Sequence, residues 1–328
     1  MYSRARTVRV RHSSCSRAQS KPALARRRVD AAQLVMRVAA AQRASALSAN
    51  APAAFSGRGN RSTREERARR RVTASASYEK TWSNPSGSVV DAVEPGLVYA
   101  CARPFVWNDI DVGGRMGVVR MGDGSLWVHS PIELDARTRA AVDALGEVRH
   151  VVSPNYEHVK YARQWKEAYP NCTLYGAPGL KTKKDGVIPY DVDLGDVPGA
   201  CPAAWRGEFQ CEWFDSEQTP VVGGAFFNEV VFHHVPSGCL FCTDVFWNYP
   251  ASAVGGVDVP LGTRVWKALM DTLYLPVYMK LMVRDGERFD ASVRRVMEWR
   301  WKTLVPCHGT IERGERARAA FRQHLARS

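Results

Sequence analysis

Residues 148–158, VRHVVSPNYEH, set the reading of the whole chain. The first half, Val148 to Ser153, is rich in β-branched residues and reads as a buried strand. Pro154 and Asn155 then favour a turn. The following stretch, EHVKYARQWKEAYP (157–170), spaces Val159, Ala162, Trp165 and Ala168 as an i, i+3 stripe, which predicts a helix. Glu157 and His158 therefore fall at a strand-to-helix junction, a place where α/β proteins commonly hold ligands.

Working outward, RMGVVRM (115–121) and SLWVHS (125–130) flank the turn residues GDG and predict a β-hairpin. DARTRAAVDAL (135–145) reads as a helix, CTLYGAP (172–178) as a strand, and residues 181–201 as loop-rich. Three strands follow, QCEWFD (210–215), NEVVFHHV (228–235) and GCLFCTD (238–244), the last two joined by the turn PSG. VWKALMDTLYLPVYMKLMV (265–283) is interrupted by Lys267, Asp271 and Lys280, so it does not read as a transmembrane span. Pro276 predicts a bent pair of amphipathic helices there. DASVRRVMEWRW (290–301), KTLVPCH (302–308) and RGERARAAFRQHL (313–325) read as helix, strand and helix. Such alternation predicts an α/β sandwich.

Three strand ends finish in potential metal ligands: Glu157 and His158, then Asp244 after LFC, then His308 after LVPC. Two imidazoles and two carboxylates suit Zn²⁺, Fe²⁺ or Mn²⁺. Each has a structural alternative. Glu157 and His158 can serve a helix N-terminus, and Asp244 a buried polar network. Asn155 reads as a turn residue or as a group orienting a metal-bound water, and His129 as structural. His233 and His234 point to opposite faces of one strand. Glu229 is a possible additional donor. The CLFC pair, Cys239 and Cys242, also points to opposite faces of a strand and so cannot chelate one ion.

At these residues the chain resembles the metallo-β-lactamase superfamily, over some 230 residues from RMGVVRM to the last helix. That family's HxHxDH signature falls on SPNYEH, with Ser153 and Asn155 in place of its first two His, Glu157 in place of its Asp, and His158 retained. Its bridging Asp matches Asp244 and its final His matches His308. No His occurs from Val159 to Phe232, where the third His of its first metal site would fall. The chain also resembles a domain-of-unknown-function branch of that superfamily from photosynthetic organisms. The resemblance implies a metallo-β-lactamase-like αββα sandwich of two mixed β-sheets flanked by helices. It further implies one divalent metal ion, zinc or iron, at Glu157, His158, Asp244 and His308, with Asp244 and Asn155 in catalytic roles. A hydrolase of a small ester, thioester or lactone follows. The alternatives are a non-haem iron oxidoreductase and a non-enzymatic pseudo-hydrolase that binds a metabolite or partner.

Charge divides the chain. Residues 1–75 hold 18 of the 46 Lys and Arg but only three acids, while the remainder carries 28 bases against 30 acids. Basic charge therefore belongs to the leader, and the rest offers no electrostatic footprint for nucleic acid. The leader's Arg, Ser and Ala content, low acidity and potential amphipathic segment AAQLVMRVAAAQRASALSA (31–49) predict an organellar transit peptide, directed to the chloroplast or alternatively the mitochondrion. Residues 76–98 read as a polar linker and 99–328 as the domain. Fused to a fluorescent protein, residues 1–75 are expected to direct it into plastids; diffuse cytosolic fluorescence would contradict the transit-peptide reading.

Overall fold

The computed structural model describes residues 77–220 and 223–327, so the predicted leader, 1–75, lies outside the described residues. The strands of the first half are β1 (Asp91–Glu94), β2 (Val98–Arg103), β3 (Val106–Trp107), β4 (Ile110–Asp111), β5 (Gly114–Arg120), β6 (Leu126–His129), β7 (Val148–Ser153), β8 (Thr173–Gly176) and β9 (Val192–Asp193). Those of the second half are β10 (Phe209–Phe214), β11 (Glu229–His234), β12 (Cys239–Cys242), β13 (Thr303–Pro306) and β14 (Glu312–Arg313). The α-helices are α1 (Ala136–Leu145), α2 (Ala162–Ala168), α3 (Leu180–Lys183), α4 (Leu261–Leu269), α5 (Leu275–Val277), α6 (Gly286–Glu298) and α7 (Gly314–His324).

Two mixed sheets carry the architecture. The seven-stranded sheet runs β1-β2-β5-β6-β7-β8-β9 and the five-stranded sheet β10-β11-β12-β13-β14. Pairing is antiparallel from β1 to β6 and parallel from β6 to β9. In the second sheet only β12 and β13 run parallel.

Side-chain alternation explains why these sheets stack. Trp127, Val152 and Tyr175 point inward and meet Phe209, Phe232 and Phe241 of the second sheet in one buried cluster. Their neighbours Leu126, Val128, Val151 and Leu174 point the other way and pack on Val142 of α1 and Ala162 and Trp165 of α2. On the far side, Val231, Leu240 and Leu304 meet Phe289 and Val296 of α6 and Phe321 of α7. Three apolar layers between four layers of secondary structure are the αββα sandwich that the sequence led us to expect.

Three expectations need correction. Residues 77–98, read as a linker, belong to the domain: β1 pairs with β2, Trp82 and Asn84 are buried, and the Tyr78 hydroxyl donates to Asp135 Oδ2 at 2.7 Å. Apolar content there is low, but Trp82 alone buries a large surface against the chain. The segment around Pro276 is not a bent pair of helices. It continues from α4 through π-helical turns at Met270–Tyr274 and Tyr278–Met282 on either side of α5. Pro276 donates no backbone N–H, and the two π-helical turns flank that gap in the ladder. The predicted helix at 157–170 is ordered as α only from Ala162 to Ala168, because Asn155 holds the preceding residues in a turn.

The inter-sheet distance depends on one glycine. A Cβ on Gly117 of β5 would stand 2.6 Å from Phe241 Cε1 of β12, so only glycine lets that ring seat between the sheets. Gly117→Ala is expected to destabilise the fold by about 1–3 kcal/mol through overpacking, read as a lowered denaturation midpoint at an unchanged m-value.

Candidate metal centre

The site forms where two parallel strand pairs, one from each sheet, end side by side. In the first sheet β6 and β7 run parallel, and in the second β12 and β13 do. Their C-terminal ends deliver Ser130, Asn155 and His158 from one sheet and Asp244 and His308 from the other.

Asn155 organises this meeting point. It is fully buried, and its Oδ1 accepts the backbone N–H groups of Glu157 at 3.0 Å and His158 at 2.9 Å. Its Nδ2 donates to Asp244 Oδ2 at 2.6 Å and to Thr243 Oγ1 at 2.9 Å. Behind it lies Glu229, also buried, whose carboxylate accepts the N–H groups of Thr243, Asp244 and Val245 at 2.6, 2.7 and 3.0 Å. Burial, with the nearby charge of Asp244 adding to it, raises the Glu229 carboxyl above the usual range.

Asp244, His158 and His308 converge. His158 Nε2 lies 3.2 Å from Asp244 Oδ2, His308 Nε2 lies 3.6 Å from Asp244 Oδ1, and the two imidazole Nε2 atoms are 3.3 Å apart. Among the described residues, these three form the one group whose donor atoms are placed to share a metal ion. Spacings of this order are compatible with donors around one Zn²⁺ ion at bonds of ~2.0–2.1 Å.

The remaining ring nitrogens are spoken for, which fixes the donors. His308 Nδ1 faces the carbonyl oxygens of Gly113 at 2.8 Å and Val112 at 3.3 Å. Both are acceptors, so Nδ1 carries the proton and Nε2 presents its lone pair. Burial, opposed by Asp244 and reinforced by the charge of His158, pushes the His308 pKa down and keeps the ring neutral. His158 Nδ1 lies 2.6 Å from Ser130 Oγ. Burial disfavours charge on His158, but the Asp244 carboxylate outweighs it and holds the pKa well above the usual value. Burial likewise opposes ionisation of Asp244, and His158 reverses that to hold the carboxyl below its ordinary range. The Asp244 carboxylate thus favours a positive charge beside it. A proton on His158 supplies it, and a divalent cation would do so more fully.

Several supports were not singled out from sequence. Arg115, half-buried, donates to the carbonyls of Pro306 at 2.6 Å and Gly309 at 2.8 Å and so brackets the His308 turn. Asn248 Oδ1 accepts the Thr310 N–H at 2.8 Å beside Gly309, which has φ +100° and no room for a Cβ. Ser130 has φ +51°, a strained value for a residue other than glycine. A charged residue opening the apolar run RMGVVRM was the one sequence signal for Arg115. Nothing local marked Ser130.

The predicted fourth ligand, Glu157, is not in the cluster; it lines the adjoining cavity. Adjacent residues of a turn leave the backbone in different directions, and here His158 takes the inward one. Glu229 is not a donor either, since its oxygens are committed to backbone N–H groups. His129 is buried against Trp127 as a structural residue, His233 bonds Gln210 at 2.8 Å, and His234 bonds Ser237 at 2.8 Å. Ser153 accepts the Tyr190 hydroxyl at 2.9 Å. Cys239 faces the inter-sheet core and Cys242 the outer layer, as strand alternation requires.

Residues 96–268, more than half of the chain, match the model of a family described as a domain of unknown function, DUF4336. The chain belongs to this family. No functionally curated protein matches it in sequence. Similar solved structures include the DIM-1 metallo-β-lactamase exposed to ceftazidime, at 15% identity over 72% of this chain and 93% of that one, with a TM-score of 0.48. FIM-1 from Pseudomonas aeruginosa in its mono-zinc form is similar at 14% identity, 72% and 93% coverage and a TM-score of 0.46. A metallo-β-lactamase from Pontibacter korlensis is similar at 12% identity, 72% and 97% coverage and a TM-score of 0.46. No helix among the described residues of this DUF4336 protein is long and apolar enough to cross a membrane.

Asn155→Ala is expected to lower stability by about 1–3 kcal/mol, because it strands buried N–H groups. It should weaken metal affinity about 10-fold or more by freeing Asp244. Denaturation and competition with a chromophoric chelator would check both; an unchanged affinity would show that Asp244 is held by other contacts.

Proposed function

We infer that this protein is a single-metal hydrolase of small, largely apolar esters, thioesters or lactones. The observation that carries the reading is the His158, Asp244 and His308 donor triangle at one end of a cavity of about 130 Å³. Cavities of that size accept about one aromatic ring. Aromatic walls, among them Trp107, Trp247 and Trp266, would shelter the acyl portion from water. Three protein ligands leave one tetrahedral position open, the arrangement of catalytic rather than structural zinc. An ion held there supplies a Lewis acid and a nucleophile from water near neutral pH.

The chain's own residues supply the rest. Asp244, ionised and oriented by Asn155, is the carboxylate placed to take a proton from an attacking water. His308, with Nδ1–H fixed on Gly113, keeps its donor orientation through the reaction. Ser153 and Asn155, which stand where a first metal's imidazoles would be, are engaged with Tyr190 and Asp244, so the single-ion reading is favoured.

Elemental analysis of purified protein is expected to give one zinc per chain, lost in His158→Ala and His308→Ala. Affinity should fall with falling pH, because protons compete for His158. Chelation should abolish turnover of a panel of aryl esters and lactones, and zinc should restore it. Two ions per chain would overturn the single-site reading, tightly bound iron would favour redox chemistry, and no metal at all would favour a binding protein.

A further inference from the structure

We propose that Lys160 is the anion-recognising residue of this cavity, and that the compound it takes has a flat apolar body with a carboxylate or similar anion at its outer end. This names the substrate class of the site just described and rests on that cavity being the functional one. The walls are aromatic on several sides, and Trp107 and Trp266 pack with centroids 5.1 Å apart. Such walls select planar apolar groups and offer little to a flexible polar one.

Lys160 is the exposed cation of this lining. Its Nζ lies 5.0 Å from the Phe105 ring centroid and 5.2 Å from that of Tyr161, both rings of the cavity wall. It forms no ion pair among the described residues, whereas Lys166 and Lys267 hold Asp191 and Asp271. A lysine steadied over two rings and lacking a carboxylate is a point charge ready for an anionic ligand. Arg115, the other cation of the lining, cannot serve, because its guanidinium is spent on the Pro306 and Gly309 carbonyls. Two acids share the lining with it. Asp244 belongs to the metal triangle, and Glu157 lies near enough to Tyr274 to add to the effect of burial in raising that phenol. Lys160 therefore attracts the anionic end of a ligand, which leaves the ligand's other end to face His158 and His308 across the same cavity.

The test compares 4-phenylbutyrate with its uncharged isostere 4-phenylbutyramide, using the protein as purified. Quenching of tryptophan fluorescence reads binding, since three tryptophans line the cavity, and calorimetry confirms it. Wild type is expected to prefer the carboxylate by about three- to ten-fold, the range of a partly sheltered ion pair. Lys160→Arg should retain the preference, Lys160→Met should erase it, and Lys160→Glu should shift binding toward 4-phenylbutylamine. Lys160 is exposed, so unchanged melting temperatures are expected for all three variants. A wild-type protein with no preference would overturn the proposal, as would a Lys160→Met protein that keeps it. So would a preference that survives in Lys160→Met but disappears in His308→Ala, because the triangle would then be reading the carboxylate. Binding preference without ester turnover would leave Lys160 recognition standing and remove the hydrolase, and turnover without preference would do the reverse.

Discussion

The buried carboxylate of Glu229 receives three consecutive backbone N–H groups from the segment leaving β12, and the geometry of the site follows from that contact. Burying a carboxylate this deeply costs several kcal/mol unless its oxygens are satisfied, and here peptide groups satisfy them. Because the donors are main-chain groups, Thr243, Asp244 and Val245 are forced into one conformation, and Asp244 is presented toward Asn155. Asn155 then sets the turn that aims His158. A ligand from each sheet is positioned by a hydrogen-bonded relay rather than by apolar packing, which has no directional preference.

That relay explains what was legible in the sequence and what was not. Strand identity and facing were legible, because alternation of apolar residues in VRHVVS, NEVVFHHV and GCLFC reports burial directly. His158, Asp244 and His308 were legible because each ends such a run. Glu157 was misassigned, since sequence adjacency to His158 gives no information about which way a turn projects its side chains. Glu229 looked like a spare metal donor, and only the placement of β11 beside the β12 exit shows that its oxygens are already taken. Residues 77–98 were misread for a related reason: a segment with few apolar residues can still dock through Trp82 and one Tyr78 to Asp135 contact.

Ser153 sits in a closely packed polar and aromatic setting. Tyr190 fills the space beside Ser153, its hydroxyl engaged and its ring against Gly176, where a Cβ would meet it at 3.1 Å. Placing an imidazole there would require removal of a buried aromatic ring as well, so the two changes would be strongly coupled.

Ser130 shows where stability and site architecture pull in opposite directions. Its left-handed backbone, φ +51°, places a hydroxyl 2.6 Å from His158 Nδ1. Glycine would adopt the same conformation without strain and, at this one position, would relax the native backbone. It would also leave the His158 ring without the partner that fixes its rotation. A library selected only for thermal tolerance would therefore be drawn toward glycine here and would drift away from a preorganised imidazole. The same substitution would thus raise folding stability and loosen the imidazole, two effects that a melting curve alone would not separate.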